Sequence, residues 1–155
     1  MPPRHARCAR RNPWCVLIAV QPRSVLIADD DPGIRDSLAE ALDREGWETH
    51  VAEDGGQALT VLRVRVVRVA LVDMRMPDMT GLEALQEMHR ILALLPVIAM
   101  TADRDRWVRD EVVAAGAFDL LWKPLRRADV VDALERALRA ADPRWTGDGP
   151  GGQEA

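Results

Sequence analysis

From residue 24 onward, five short apolar runs alternate with five stretches whose apolar residues recur at helical spacing, and this alternation constrains the chain more than any other feature. Ser24–Ala28, Trp47–Ala52, Val69–Val72, Pro96–Met100 and Phe118–Trp122 read as strands. The runs that are apolar throughout require cover on both faces. Between the first two, Ile34, Leu38, Ala41 and Leu42 recur along one helical face, opposite Asp36, Glu40 and Arg44, and Gly46 is placed to stop that helix. Asp54 with Gln57, and Thr80 with Glu83, have the spacing of capping boxes and open the next two helices. The end of the second helix is not fixed, because Val61–Val69 mixes Val with Arg and fits partly extended chain; the third runs to about Ile91. Asp105–Ala115, stopped by Gly116, is the fourth. Arg127–Ala141 is the fifth, with Val131, Leu134, Leu138 and Ala141 on its apolar stripe. Strands separated by helices cannot pair as hairpins. Each must cross over, right-handed, into a parallel sheet with helices on both faces. The fold class is therefore α/β, with a doubly wound five-stranded parallel sheet.

That pattern assigns residues 24–141 to one domain, residues 1–23 to a basic N-terminal extension and residues 142–155 to a Gly/Pro-rich tail. Both ends are expected to be disordered, and a misassigned start codon would explain the first segment equally well. Residues 1–23 hold five Arg and no acid, so the rest of the 155-residue chain is acidic by nine charges. An acidic body does not suit a nucleic-acid binder, which needs a basic face, so no direct DNA binding is expected. The apolar run Trp14–Val20 is far too short to span a membrane, and no small-residue cleavage site comes after it. Val16–Ala19 echoes Val25–Ala28 but is not followed by acids, and is no true repeat. The only cysteines, Cys8 and Cys15, match neither a redox pair nor a zinc site. A core without Cys suits a reducing compartment, so a cytoplasmic location is expected.

The chemistry lies in the residues just beyond each strand. The first strand ends in Asp29-Asp30-Asp31, the third in Asp73, the fourth in Thr101 and the fifth in Lys123-Pro124. In a doubly wound sheet, ligands collect beyond the carboxyl ends of the strands. If these strands are neighbours, three carboxylates, a hydroxyl and an ammonium share one rim. Like charges that close repel unless a cation sits among them, and a hard divalent ion such as Mg²⁺ takes oxygen ligands of this kind. A carboxylate can act as a nucleophile on phosphorus, and phosphoryl transfer mostly requires positioning and neutralisation of charge. Lys suits the neutralising role as a compact charge on a flexible stem. Lys123 is the only lysine among 21 basic residues.

With those residues in view, Val25–Pro32, Ala70–Leu82, Val97–Ala102 and Lys123-Pro124 resemble the corresponding stretches of response-regulator receiver domains, the single-domain chemotaxis-regulator type in particular. The resemblance covers about residues 24–141, with all motifs in order and at family spacing. It implies a flavodoxin-like strand order, 2-1-3-4-5. It implies that Asp73 is the phosphoacceptor, and that Asp30, Asp73 and the backbone carbonyl of Arg75 bind Mg²⁺ directly, with Asp29 acting through water. Thr101 would bond the phosphoryl group and switch inward, Lys123 would pair with phosphoryl oxygens, and the Lys123–Pro124 peptide would be cis. The implied partners are a sensor histidine kinase or phosphotransfer protein and a downstream protein target. Catalysis would be limited to the chain's own phosphorylation and dephosphorylation. Nothing after residue 141 is long enough for an output domain, and a homodimer through the last helices is compatible with the sequence without being required by it.

Several residues have plainer readings. Asp31 is a helix N-cap, with Pro32 well suited to the first helical position. Asp78 and Asp119 read as loop acids, His5, His50 and His89 show no ligand geometry, and Met74, Met76 and Met79 read as packing. The family's aromatic residue three positions before the Lys is Leu120 here, and Leu125 comes after Pro124 where Phe is frequent, so an aromatic switch coupled to Thr101 has no assigned residue. Arg75 and Asp103 flank the acceptor and are expected to form an ion pair over it that slows attack by water. A rival reading is a phosphatase of the haloacid-dehalogenase type, suggested by Asp29-x-Asp31. It is disfavoured by Gly33 and by the lack of a late Gly-Asp-x-x-x-Asp. A second rival is a receiver-like scaffold that is never phosphorylated, disfavoured by the complete acidic set.

Overall fold

The computed structural model describes residues 23–142. The basic extension up to residue 22, both cysteines and the tail from residue 143 lie outside the described residues. Five strands, β1 (Ser24–Ala28), β2 (Glu48–Ala52), β3 (Val69–Asp73), β4 (Val97–Thr101) and β5 (Asp119–Trp122), form one sheet in the order β2-β1-β3-β4-β5. Every pairing is parallel. Five helices carry the crossovers: α1 (Pro32–Arg44), α2 (Gly55–Val64), α3 (Gly81–Ile91), α4 (Arg106–Ala114) and α5 (Arg127–Ala141). The expected fold class and strand order are both observed.

Alternation along the strands divides the interior in two. Leu26, Ala28, Ala70, Val72, Val97 and Ala99 face α2, α3 and α4, where they meet Leu62, Leu85, Met88 and Val112. Val25, Ile27, Val69, Leu71, Ile98 and Met100 face α1 and α5, where they meet Leu42, Leu134 and Leu138. All five residues of each of the three central strands are buried, whereas the edge strands β2 and β5 are only partly so. Each fully buried large aliphatic side chain contributes about 1.5–3 kcal/mol. The continuous apolar runs are thus the central strands, and the mixed runs are the edges.

The helix ends follow local chemistry. Asp31 caps α1, accepting from the N–H of Gly33 at 2.9 Å, with Pro32 at the first position. Asp54 caps α2 through the Gln57 N–H at 2.7 Å, and the Gln57 side chain reaches back to the N–H of Glu53. Thr80 caps α3 through the Glu83 N–H. Gly46 and Gly116 take left-handed φ of +86° and +102° after α1 and α4. There the Trp47 N–H reaches Leu42 O and the Ala117 N–H reaches Val112 O, the bonds that close a Schellman turn.

Several boundaries and one face depart from expectation. β2 starts at Glu48 rather than Trp47, whose ring is buried against the α1/α5 core. β4 runs to Thr101, and β5 begins at Asp119. Interstrand register sets these limits, and composition does not encode it. α2 stops at Val64, and Arg65 turns extended at φ −126°, ψ 152°. α4 is Arg106–Ala114, and Asp105 makes no side-chain cap bond. On α5 the buried residues are Val130, Ala133, Leu134, Ala137 and Leu138, while Val131 is half-buried and Ala141 is exposed. The expected stripe weighted Val over Ala, but a helix packed on a sheet brings its small residues closest, which rotates the buried face toward Ala133 and Ala137.

Candidate functional site: an acidic rim at the carboxyl ends of the strands

Because β1 and β3 are adjacent and parallel, with Ala28 level with Val72, the residues beyond them emerge side by side. Asp29 and Asp73 are almost fully buried, and Asp30 is exposed. One carboxylate oxygen from each of Asp29, Asp30 and Asp73 lies within 4.8 Å of the others. Lys123, delivered by β5 from across the sheet, places its Nζ 2.9 Å from Asp29 Oδ2 and 3.3 Å from Asp73 Oδ2. Its peptide bond to Pro124 is cis, as expected.

Backbone bonds hold each loop on its strand. The Asp29 N–H donates to Ala52 O, the Met74 N–H to Met100 O and the Lys123 N–H to Thr101 O. The Asp29 side chain accepts from the Asp31 N–H at 3.0 Å, and the Asp73 side chain accepts from the Arg75 N–H at 3.2 Å. Arg35 reaches in from α1 to donate to the Asp29 carbonyl at 3.3 Å. Thr101 stands at the end of β4 with its Oγ1 accepting the Asp103 N–H at 3.0 Å. The Arg75 guanidinium is 3.4 Å from Asp103 Oδ2, so the expected pair forms. Asp103 Oδ1 also accepts the Asp105 N–H.

Burial disfavours charge and pushes the Asp73 carboxyl up to about 6. The Arg75 amide draws it partly back, the Asp29 charge adds to the rise, and the Lys123 charge opposes it. Lys123 is also raised. Burial works against its charge, but the hydrogen bond to Asp29 and the charges of Asp73 and Asp29 outweigh that. Two acids and one ammonium therefore leave an excess of negative charge in a poorly solvated pocket. Oxygen donors in that number, close together and short of positive charge, fit a hard divalent cation.

Gly81 matters more than reading the sequence suggested. A Cβ there would stand 2.4 Å from Asp73 O and 2.5 Å from Met74 Cα. The first turn of α3 thus sits directly against the acceptor's own backbone, with the Gly81 N–H donating to Met74 O. The sequence signal was a glycine directly after an N-cap, where a better helix former would otherwise be favoured. The loop between holds Asp78 at φ 68°, and Met79 packs where Gly55 leaves room. The expected packing role of the methionines holds, since Met76 is buried and Met74 and Met79 lie against the α2/α3/α4 core. His89 donates its Nε2–H to Leu95 O, 2.9 Å away, and is remote from the rim. Leu120 is buried, and Trp122 lies level with Thr101 across the β4–β5 pair, with the Arg104 guanidinium 6.0 Å from its ring centre.

Similarity to known proteins accords with this geometry. The chain is 34% identical over 131 residues to the transcriptional regulatory protein GlrR of Escherichia coli, covering 81% of this chain and 29% of that protein. It is 34% identical over 119 residues to the probable transcriptional regulatory protein TcrX of Mycobacterium tuberculosis, covering 77% and 51% respectively. The chain thus spans about half or less of these curated relatives. The crystal structure of a CheY-like response regulator receiver domain protein from Methanospirillum hungatei superposes with a TM-score of 0.76 at 27% identity, over 81% of this chain and all of that one. The receiver domain of NtrX from Brucella abortus gives 0.71 at 30% identity, over 74% and 98%. Residues 25–135 match the sequence profile of the response regulator receiver domain, and with that match the chain belongs to the receiver-domain family.

Proposed function

We propose that this chain is a phosphoacceptor switch in which Asp73 takes a phosphoryl group from a phospho-histidine on a sensor histidine kinase or phosphotransfer protein. The observation that carries this reading is the meeting of Asp29, Asp30, Asp73 and Lys123 at one rim, with their reactive atoms a few ångströms apart. A carboxylate oxygen of Asp73 attacks phosphorus. The new O–P bond forms as the donor's P–N bond breaks, and the imidazole leaves with the electron pair. Lys123 is poised to turn from Asp73 to a phosphoryl oxygen while Asp29 keeps hold of it. Thr101 gives up the Asp103 N–H and donates its own proton to another oxygen. Asp29, Asp30, Asp73 and the Arg75 carbonyl would hold Mg²⁺. When bound, the ion supplies charge neutralisation and orientation of the phosphoryl oxygens. The inward move of Thr101 pulls the β4–α4 loop and alters the surface around α4, which a downstream protein reads.

In this reading residues 24–141 are the whole switch, it works in the cytoplasm, and its only chemistry is on itself. The transcriptional regulators it resembles suggest a role in gene control, exerted through protein contacts rather than by this domain binding DNA. Neither rival draws support from the family match, which favours neither a phosphatase nor a silent scaffold. Incubation with acetyl phosphate and Mg²⁺ followed by intact mass measurement tests the proposal. One added phosphoryl group in the wild type and none in Asp73→Asn is expected. Catalytic turnover of a generic phosphate ester, or no labelling at all, would overturn it.

A further inference from the structure

The opposite end of the sheet has a different character. The loops that enter β3 and β4 lie side by side, since the Ala70 N–H donates to Pro96 O. They and the helix ends above them expose Val64 (68%), Val66 (69%), Leu92 (38%) and Leu94 (91%). Arg63 and Arg65 alternate with these valines, are exposed and have no ion-pair partner among the described residues. Arg68 is paired with Asp142 and Arg90 with Glu87. The segments 62–68 and 88–96, which form the turns at this end, contain four Arg and no acid, and Asp142 joins them there through Arg68. β1 starts at this same end, with the Arg68 N–H donating to Ser24 O.

Cations in the last turn of a helix complement its dipole, which accounts for Arg63 and Arg90. It accounts for neither Arg65, beyond the end of α2, nor four exposed aliphatic side chains. We propose that this face is a docking surface for an anionic lipid bilayer, with Leu94, Val66 and Val64 at headgroup depth and Arg63 and Arg65 on lipid phosphates. Its two unpaired guanidiniums, Arg63 and Arg65, are complementary to such a surface, while Glu48 at the start of β2 and Asp142 lie at the same end. The aliphatic tips stand on loops and a helix end with no aromatic among them, and the hollow lined by Arg68, Leu92, Leu94 and Asp142 is wide open rather than an enclosed pocket of the kind that dominates protein interfaces. Nucleic acid would use the arginines but gain nothing from the tips. Docked this way, the chain points its acidic rim away from the membrane, toward solution.

Cosedimentation of the full chain with vesicles tests the proposal independently of phosphorylation. Phosphatidylglycerol/phosphatidylcholine vesicles should bind it, pure phosphatidylcholine vesicles should not, and binding should fall in about 1 M salt. The double variant Arg63→Glu/Arg65→Glu, with residues 1–23 intact, should bind at least about tenfold more weakly. Leu94→Asp should weaken binding severalfold, and Asp73→Asn should bind like the wild type. Equal binding to both vesicle types, or full binding by the double variant, would overturn the proposal. So would a dimer abolished by Leu94→Asp, or retention on DNA but not on vesicles.

Discussion

The two ends of one sheet make opposite use of the same strands. At the carboxyl ends, Asp29 and Asp73 are buried, mutually close and held by Lys123, and every charge depends on another. At the amino ends, Arg63 and Arg65 are exposed and independent, among aliphatic side chains that touch little. Burial makes the first end expensive to alter and chemically tuned, whereas exposure makes the second cheap to alter and free to meet a partner. The contrast shows where sequence changes will be felt: coupled charges in a dry pocket respond strongly, and isolated charges in water hardly at all.

The largest effect expected is all or none, with Asp73→Asn abolishing phosphoryl labelling while every amino-end variant keeps it. Next is the loss of the ammonium. Lys123→Met leaves two buried carboxylates without their cation and should cost roughly 3 kcal/mol in chelator, part of it restored by Mg²⁺. Leu94→Asp, at the other end, should stay within about 0.5 kcal/mol by denaturant unfolding. Equal costs would erase the contrast. Gly81→Ala drives a methyl into the acceptor's backbone and should cost about 2 kcal/mol, against about 1 kcal/mol for Gly46→Ala, where the space is open and only the left-handed φ resists.

The pH dependence takes its sign from Asp73. Its carboxyl is raised in the fold to about 6, so the folded protein holds that proton longer than the unfolded chain does. Stability from this group is present below pH about 4 and is lost as pH rises toward and through 6. In chelator, Asp73→Asn should remove that fall and be more stable at pH 7.5 by roughly 1–3 kcal/mol. A flat wild-type profile across that window would show Asp73 to be better compensated than its surroundings imply. The smallest effect belongs to the exposed pair. Arg75→Ala should leave unfolding within about 0.5 kcal/mol yet shorten the lifetime of phosphorylated Asp73, because Arg75 and Asp103 stand over it. An unchanged lifetime would reduce the pair to a surface contact.

Much of this was legible before folding, because the signals are local. The caps at Asp31, Asp54 and Thr80 and the glycines at 46 and 116 act over a few residues and appear where expected, and the five apolar runs all become strands, most with ends displaced by a residue. The acids at 29, 30 and 73 and the lysine at 123 could be named because each terminates its own strand. What the chain could not state for itself was anything set by distant partners. The buried side of α5, the start of β2, the contact of Gly81 with Asp73 and the raised carboxyl of Asp73 arise from residues far apart in sequence. The exposed ridge at Val66 and Leu94 belongs to the same class, since only the pairing of β3 with β4 brings its two loops together. Local chemistry determined which elements form and what they carry. Their register and packing decided which charges lose water, and it is lost water that turns a set of ordinary acids into a site.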